Sequence, residues 1–261
     1  MKCVLLSYQM FFYCLCSFAQ TEVQKFKETQ FQDKHMLKME LKDQLIKNDF
    51  TKLFMQTDNS VVYGFIGENY QRLRVKFISV TKDTSLSDTY IVYGKSMVKN
   101  NICEFHGSIK ITNIRKLNIT QHGCEDEEKY KGFKGQFFIL GDYTFSENEE
   151  QKYTGIFNGT FRSDFFIDKS NHVIYDDIEN CSDSYTNNQF VGQWIGYKTK
   201  IAKRCNWGDF RVPNSGDLDI GAGEFSPDDK YLKFGWQSRC DLMISQSEKN
   251  AKEAEEAKWW K

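Results

Sequence analysis

Long stretches of this chain alternate apolar and polar residues with a period of two, and no other feature constrains the fold as strongly. Leu73, Val75 and Phe77 interleave with Arg72, Arg74 and Lys76. Cys103, Phe105, Gly107, Ile109 and Ile111 interleave with Glu104, His106, Ser108, Lys110 and Thr112. Successive side chains of a strand point to opposite faces, so each run reads as a strand with one face on a core and one in water. A further run places Tyr153, Gly155, Phe157, Gly159, Phe161, Phe165 and Ile167 on one parity, with Ile156, Ser163 and Phe166 breaking strict alternation. Ser60–Gly67, Tyr90–Val98, Gly135–Glu147 and Phe190–Thr199 follow the same pattern. These runs are rich in Phe, Tyr, Ile and Val, which suit a pleated surface. Polar turn clusters separate them, at Thr57-Asp58-Asn59-Ser60, Lys82-Asp83-Thr84-Ser85 and Asp168-Lys169-Ser170-Asn171. Half-solvated alternation marks antiparallel pairing, because all-parallel sheets are covered on both faces.

Read as one strand, Tyr153 to Asp168 would extend about 53 Å at ~3.3 Å per residue, too far to stay flat in a domain of this size. Gly155 and Gly159 are therefore expected to be bends or bulges that let the strand coil. The fold class is mainly β: an antiparallel meander of about eight strands closing into a barrel or a strongly curled sheet, with a sandwich as second choice. Tyr130–Gly135 and Tyr153–Gly159 resemble the Tyr-x-Gly hairpin units of MORN repeats. The copy at Phe190–Gly196 is out of register, so these glycines are read as bends of aromatic strands.

Helical periodicity appears at the two ends. Leu37, Leu41 and Leu45, behind Asp33 as a candidate N-cap, predict an N-terminal amphipathic helix between Thr21 and about Phe50. Ser245-Gln-Ser-Glu248 has the form of a capping box, and Ala251, Ala254 and Ala257 favour helix. With a Glu248–Lys252 pair, they predict a short C-terminal helix, charged nearly all round, before Trp259 and Trp260. The chain is thus divided into a leader over 1–19, a helical segment over 20–50, a β domain over 51–244 with a loop-rich part at 205–236, and a charged tail over 245–261.

Lys2, the apolar run Val4–Phe18 and the ending Ser17-Phe18-Ala19 have the form of a secretory signal cut before Gln20. The run is shorter than the ~20 residues that span a bilayer, so no transmembrane helix is expected in the mature chain. Tyr13 and Leu15, preceding Cys14 and Cys16, argue against a lipid anchor. An exported chain keeps Cys103, Cys124, Cys181, Cys205 and Cys240, an odd set in an oxidising compartment, which predicts one or two disulfides of open connectivity. With 35 basic against 36 acidic residues there is no basic footprint for nucleic acid.

Function is sought first in 205–236, which holds both prolines, Pro213 and Pro227, and five glycines. Long ordered loops in regular β domains often carry function. Trp207, Asp209, Phe210, Arg211 and Trp236 form a candidate ligand surface, since flat rings beside polar groups can stack on a sugar; alternatively the rings plug the core. Asp217, Asp219, Glu224 and Asp228 are candidate ligands for calcium, which takes six to eight oxygens, though the EF-hand spacing breaks at Ala222 and Glu224. Asx-turns explain the same residues. Apart from calcium, no cofactor is expected, and no nucleophile-elbow, zinc-protease, phosphate-loop or dinucleotide motif occurs. The sequence is read as an exported, non-catalytic binding or interaction module, with carbohydrate or protein at a cell surface as partner. A glycan hydrolase using carboxylates such as Asp176, Asp177 and those of the loop is one alternative; a structural surface protein is another.

Overall fold

The computed structural model describes residues 21–55, 58–118, 131–245 and 248–261; the leader 1–19, Cys124 and Tyr130 lie outside them. Among the described residues nine strands form in chain order: β1 (Val62–Ile66), β2 (Gln71–Lys82), β3 (Thr89–Val98), β4 (Asn101–Lys116), β5 (Gly135–Glu147), β6 (Gly155–Ile167), β7 (Val173–Tyr175), β8 (Asn187–Gly196) and β9 (Ala202–Asp209). Eight of them close a ring in which every pairing is antiparallel. Each strand pairs with its predecessor, β8 joins β6, and β9 returns to β1, where Val62 lies opposite Asp209. The short β7 adds to the far end of β6. The meander barrel is the architecture that the alternation predicts.

The apolar parities point inward. Leu73, Val75 and Phe77 of β2, Tyr90 and Val92 of β3, Phe105, Ile109 and Ile111 of β4, and Phe157, Phe161 and Phe165 of β6 belong to one core. Trp207 of β9 stacks flat on Phe190 of β8, with ring centroids 4.7 Å apart, and fills the middle of the barrel. The curvature arises differently from the expectation. Gly159 lies in unbroken register with both neighbouring strands, and Gly155 with β8. The register shifts fall instead at Phe77/Ser79, Ile111/Asn113 and Asn187/Phe190. A Cβ at Gly159 would stand 2.2 Å from the Val191 carbonyl, so this glycine admits a close backbone approach.

One end of the barrel is plugged. The expected single N-terminal helix is two helices, α1 over 21–31 and the single turn α2 (Lys42–Leu45), joined by an extended stretch. In that stretch Met36 bridges to Leu117, and Leu37 is exposed because the Leu37–Leu41–Leu45 spacing is not wound as helix. A third helix, α3 (Thr51–Met55), drives Leu53 and Phe54, with the preceding Phe50, into the barrel mouth near Tyr90, Phe161 and Phe165. The Asn188 side-chain amide donates to the Leu53 carbonyl at 3.0 Å, and the Tyr90 hydroxyl accepts from the Phe50 amide at 3.0 Å. Helix α1 lies on the outer wall, where the Glu22 carboxylate accepts two bonds from Arg204 at 2.8 and 3.0 Å.

The C-terminal quarter covers the outer face of β1 and β2. Tyr63 and Phe65, on the outward parity of β1, pack with Val212, Leu218, Phe225 and Trp236 in a second core. A 3-10 turn, Asp229–Phe234, leads into helices α4 (Gln237–Ile244) and α5 (Lys249–Glu256). Three sequence expectations change here. Glu248, not Ser245, is the N-cap of α5. The i,i+4 ion pairs are Lys249–Glu253 and Lys252–Glu256. The helix also contributes buried residues, Ala251 and Glu255, because β2 offers Arg72 and Arg74 to Glu255. Cys103, Cys205 and Cys240 are free thiols, so no described pair of cysteines staples the chain. Cys181 is not one of these free thiols. Among the described residues no helix is long and apolar enough to cross a membrane.

Candidate functional site

The four hairpin turns β1–β2, β3–β4, β5–β6 and β8–β9 all lie at the end opposite the helical plug. Between them a cavity of about 740 Å³ opens into the barrel. Its wall includes inward residues near the ends of six strands: Ile66 of β1, Ser96 and Val98 of β3, Cys103 of β4, Glu147 of β5, Phe157 of β6 and Trp194 of β8. Glu68, Asn69, Lys99, Tyr153 and Lys203 stand around the rim, and Tyr153 is 82% exposed.

Glu147 dominates the chemistry of this cavity. Its residue is only 5% exposed, and three donors fix its carboxyl. The Ser96 hydroxyl donates to Oε1 at 2.5 Å; the Trp194 indole N–H and the Gly155 amide donate to Oε2, each at 2.8 Å. Burial pushes the Glu147 carboxyl above its ordinary value, against these donors, which favour the charged form. Beside it, the Cys103 thiol accepts from the Asn101 side-chain amide at 3.1 Å. Burial, then the charge of Glu147, raises the thiol to about 11, so it is protonated and a poor nucleophile at neutral pH.

The residues singled out in 205–236 are all ordered, and they do not converge. Trp207 is part of the barrel core. Asp209 accepts from the Tyr175 hydroxyl at 2.9 Å and from Asn188 at 2.7 Å, within the buried polar network of the plugged end. Phe210 adopts a positive φ of 66° and packs edge-on against Tyr185. Trp236 is fully buried in the outer core and donates its indole N–H to the Tyr70 carbonyl at 2.8 Å. The rings hold the loop down on the barrel.

The acidic residues are likewise separated by their own partners. Asp219 pairs with Arg211 at 2.6 Å, and the same guanidinium reaches the carbonyls of Gly221 at 2.9 Å and Ala222 at 3.0 Å, and that of Gly223. Arg211 thus supplies the positive charge beside these oxygens. Asp217 accepts from Lys230 and Tyr231, Glu224 pairs with Arg239, and Asp228 caps the 3-10 turn. Among the described residues no group of three or more His, Cys, Asp or Glu is placed to hold a metal ion. Asp176 and Asp177 lie near the plugged end, where Asp176 accepts from Gln136 at 2.7 Å.

Glu147, Ser96 and Trp194 escaped sequence reasoning, although a signal for them exists. Glu147 shares its parity with Phe137, Ile139, Tyr143 and Phe145, and Ser96 shares its parity with Tyr90 and Val92. A carboxylate on the apolar parity of a strand has to be buried, and a buried charge needs a purpose or a partner. Comparisons with family models, curated proteins and solved structures each found no match, so the site is read from its own geometry.

Proposed function

We propose that this chain is a non-catalytic binding module whose ligand is a small molecule held in the open mouth of the barrel. One observation carries the reading: a cavity of about 740 Å³, walled by Ile66, Val98, Phe157 and Trp194 and furnished with few inward polar groups. Ligand sites have this character, mostly apolar with a small number of placed polar groups and volumes of roughly 300–1,000 Å³. Glu147 is immobilised by three donors and Cys103 is a protonated thiol, which suits holding and orienting a ligand better than proton or acyl transfer. The apolar leader supports export, so the ligand is one met outside the cytoplasm.

The test uses N-phenyl-1-naphthylamine, an uncharged dye that fluoresces in apolar sites. The expected result is saturable binding of one dye per chain, lost in Val98→Trp, whose indole would fill the mouth. Absence of binding, or equal binding by Val98→Trp, would overturn the reading.

A further inference from the structure

We propose that the ligand of the barrel mouth is a small organic ammonium ion, its nitrogen seated on the Glu147 carboxylate and its apolar body along Trp194 and Phe157. The inference rests on the cavity being the binding site, and it adds the chemical class of the occupant. A carboxylate offers about four acceptor positions. Ser96 uses one on Oε1, and Trp194 and Gly155 use both on Oε2, which leaves one acceptor position on Oε1 beside the cavity.

Charge points the same way. Among the described residues Glu22 is matched by Arg204, Asp219 by Arg211 and Glu255 by Arg72, while Asp176 and Asp209, which like Glu147 are bonded by neutral donors, do not line this cavity. No cationic side chain among the described residues pairs with Glu147. Its three partners are neutral donors, which favour the charged form of the carboxyl but leave its charge uncompensated. A buried charge of this kind is stabilised by an opposite charge at contact distance. A ligand with its own carboxylate would add like charge, and a neutral one would leave the charge unmatched. The wall suits an ammonium group as well, since indole and phenyl faces attract cations. Lys203 already places its ammonium 5.6 Å from the Trp194 ring centroid at the rim. Lys99 and Lys203 are exposed, so solvent and salt screen their charge from a cation inside the cavity.

Three probes of nearly equal shape separate the possibilities: 2-phenylethylamine, a cation at neutral pH, 2-phenylethanol, which is neutral, and 3-phenylpropionate, an anion. Each competes with N-phenyl-1-naphthylamine for the full chain. The expected result is that the amine competes at least about tenfold better than either analogue, the scale of a hydrogen bond to a charged group. Glu147→Gln should cut the affinity for the amine at least about tenfold and leave that for the alcohol within about twofold. The glutamine amide can still accept from Trp194 and Gly155 and donate to Ser96. Should that variant not fold, Ser96→Ala decides: it keeps the carboxylate and must keep the preference for the amine. Equal competition by the alcohol or the acid overturns the ammonium assignment and leaves the cavity reading intact. So does an amine preference that survives in Glu147→Gln, or bound dye that none of the three displaces. Failure of the dye and of all three probes to bind overturns both.

Discussion

Tyr143 lies directly opposite Gly159, which in turn faces Gly192 on the next strand. A Cβ at Gly159 would come within 2.9 Å of the Tyr143 hydroxyl, and one at Gly192 within 2.5 Å. The two glycines are therefore the seat of a ring that reaches across two strands, in contact with Phe145, Phe190 and Trp207. The hydroxyl is buried with no hydrogen-bond partner among the described residues, and burial drives its pKa far upward, so it stays neutral. An unpaired buried hydroxyl costs about 1–3 kcal/mol, so Tyr143→Phe should raise stability in urea unfolding by about 1 kcal/mol. A loss of that size would mean that a bound water satisfies the group. Sequence alone marks Gly159 as a glycine on an apolar parity. It does not say whether a bend or a crossing ring requires it, because the ring belongs to another strand.

At the scale of elements, the clamp between β2 and α5 carries the most consequence. Arg72, which alternation places on a wet face, is 6% exposed and grips Glu255 through both terminal nitrogens at 2.6 and 2.5 Å. Arg74 approaches the same carboxylate at 3.3 Å, and the Ser238 hydroxyl of α4 also bonds to it. Burial works to raise the Glu255 carboxyl; the Arg72 and Arg74 guanidinium groups outweigh it and hold the group below its ordinary value. Removing one partner of a buried pair typically costs about 3–5 kcal/mol. A detached α5 would let Arg72 rehydrate, so the loss should appear locally. Glu255→Ala is expected to expose 249–261 to limited proteolysis while the barrel keeps its unfolding transition within a few degrees. A barrel that melts far earlier would show that α5 is integral to it. The helix itself was legible from its alanines and charges. Its burial was not, because the arginines that draw it in stand some 180 residues earlier in the chain.

For the molecule as a whole, the titrating groups pull stability in opposite directions. Burial, with Asp164 and Asp177 nearby, raises Asp176 to about 6, against its bond from Gln136. The stability that protonated Asp176 contributes is full below about pH 4 and lost as pH rises through about 6. Glu147, also raised, acts in the same sense. Glu22 and Glu255 are lowered, with arginine outweighing burial, so their contribution is present above the ordinary carboxylate range and lost as pH falls. Stability should peak in mildly acidic solution. Asp176→Asn should become more stable relative to wild type between pH 4 and 7, by up to about 3 kcal/mol. Denaturant titrations of both proteins at several pH values would check this, and parallel profiles would sink it.

The period-two pattern, read with no tertiary information, determined that the chain is an antiparallel meander and which parity faces inward in β2, β4 and β6, because side-chain direction along a strand is a local property. It also placed the aromatic residues that fill the interior. Closure decided the rest. Only pairing β1 with β9 sets Ile66 opposite Cys205 and brings inward residues near the ends of separate strands, Ser96, Glu147 and Trp194 among them, around one cavity. Closure likewise leaves Tyr63 and Phe65 on the outside, where the loop-rich segment covers them and becomes a structural jacket. These are contacts between residues distant in the chain, and their distance in space is set by how many strands close the ring and by the stagger between them.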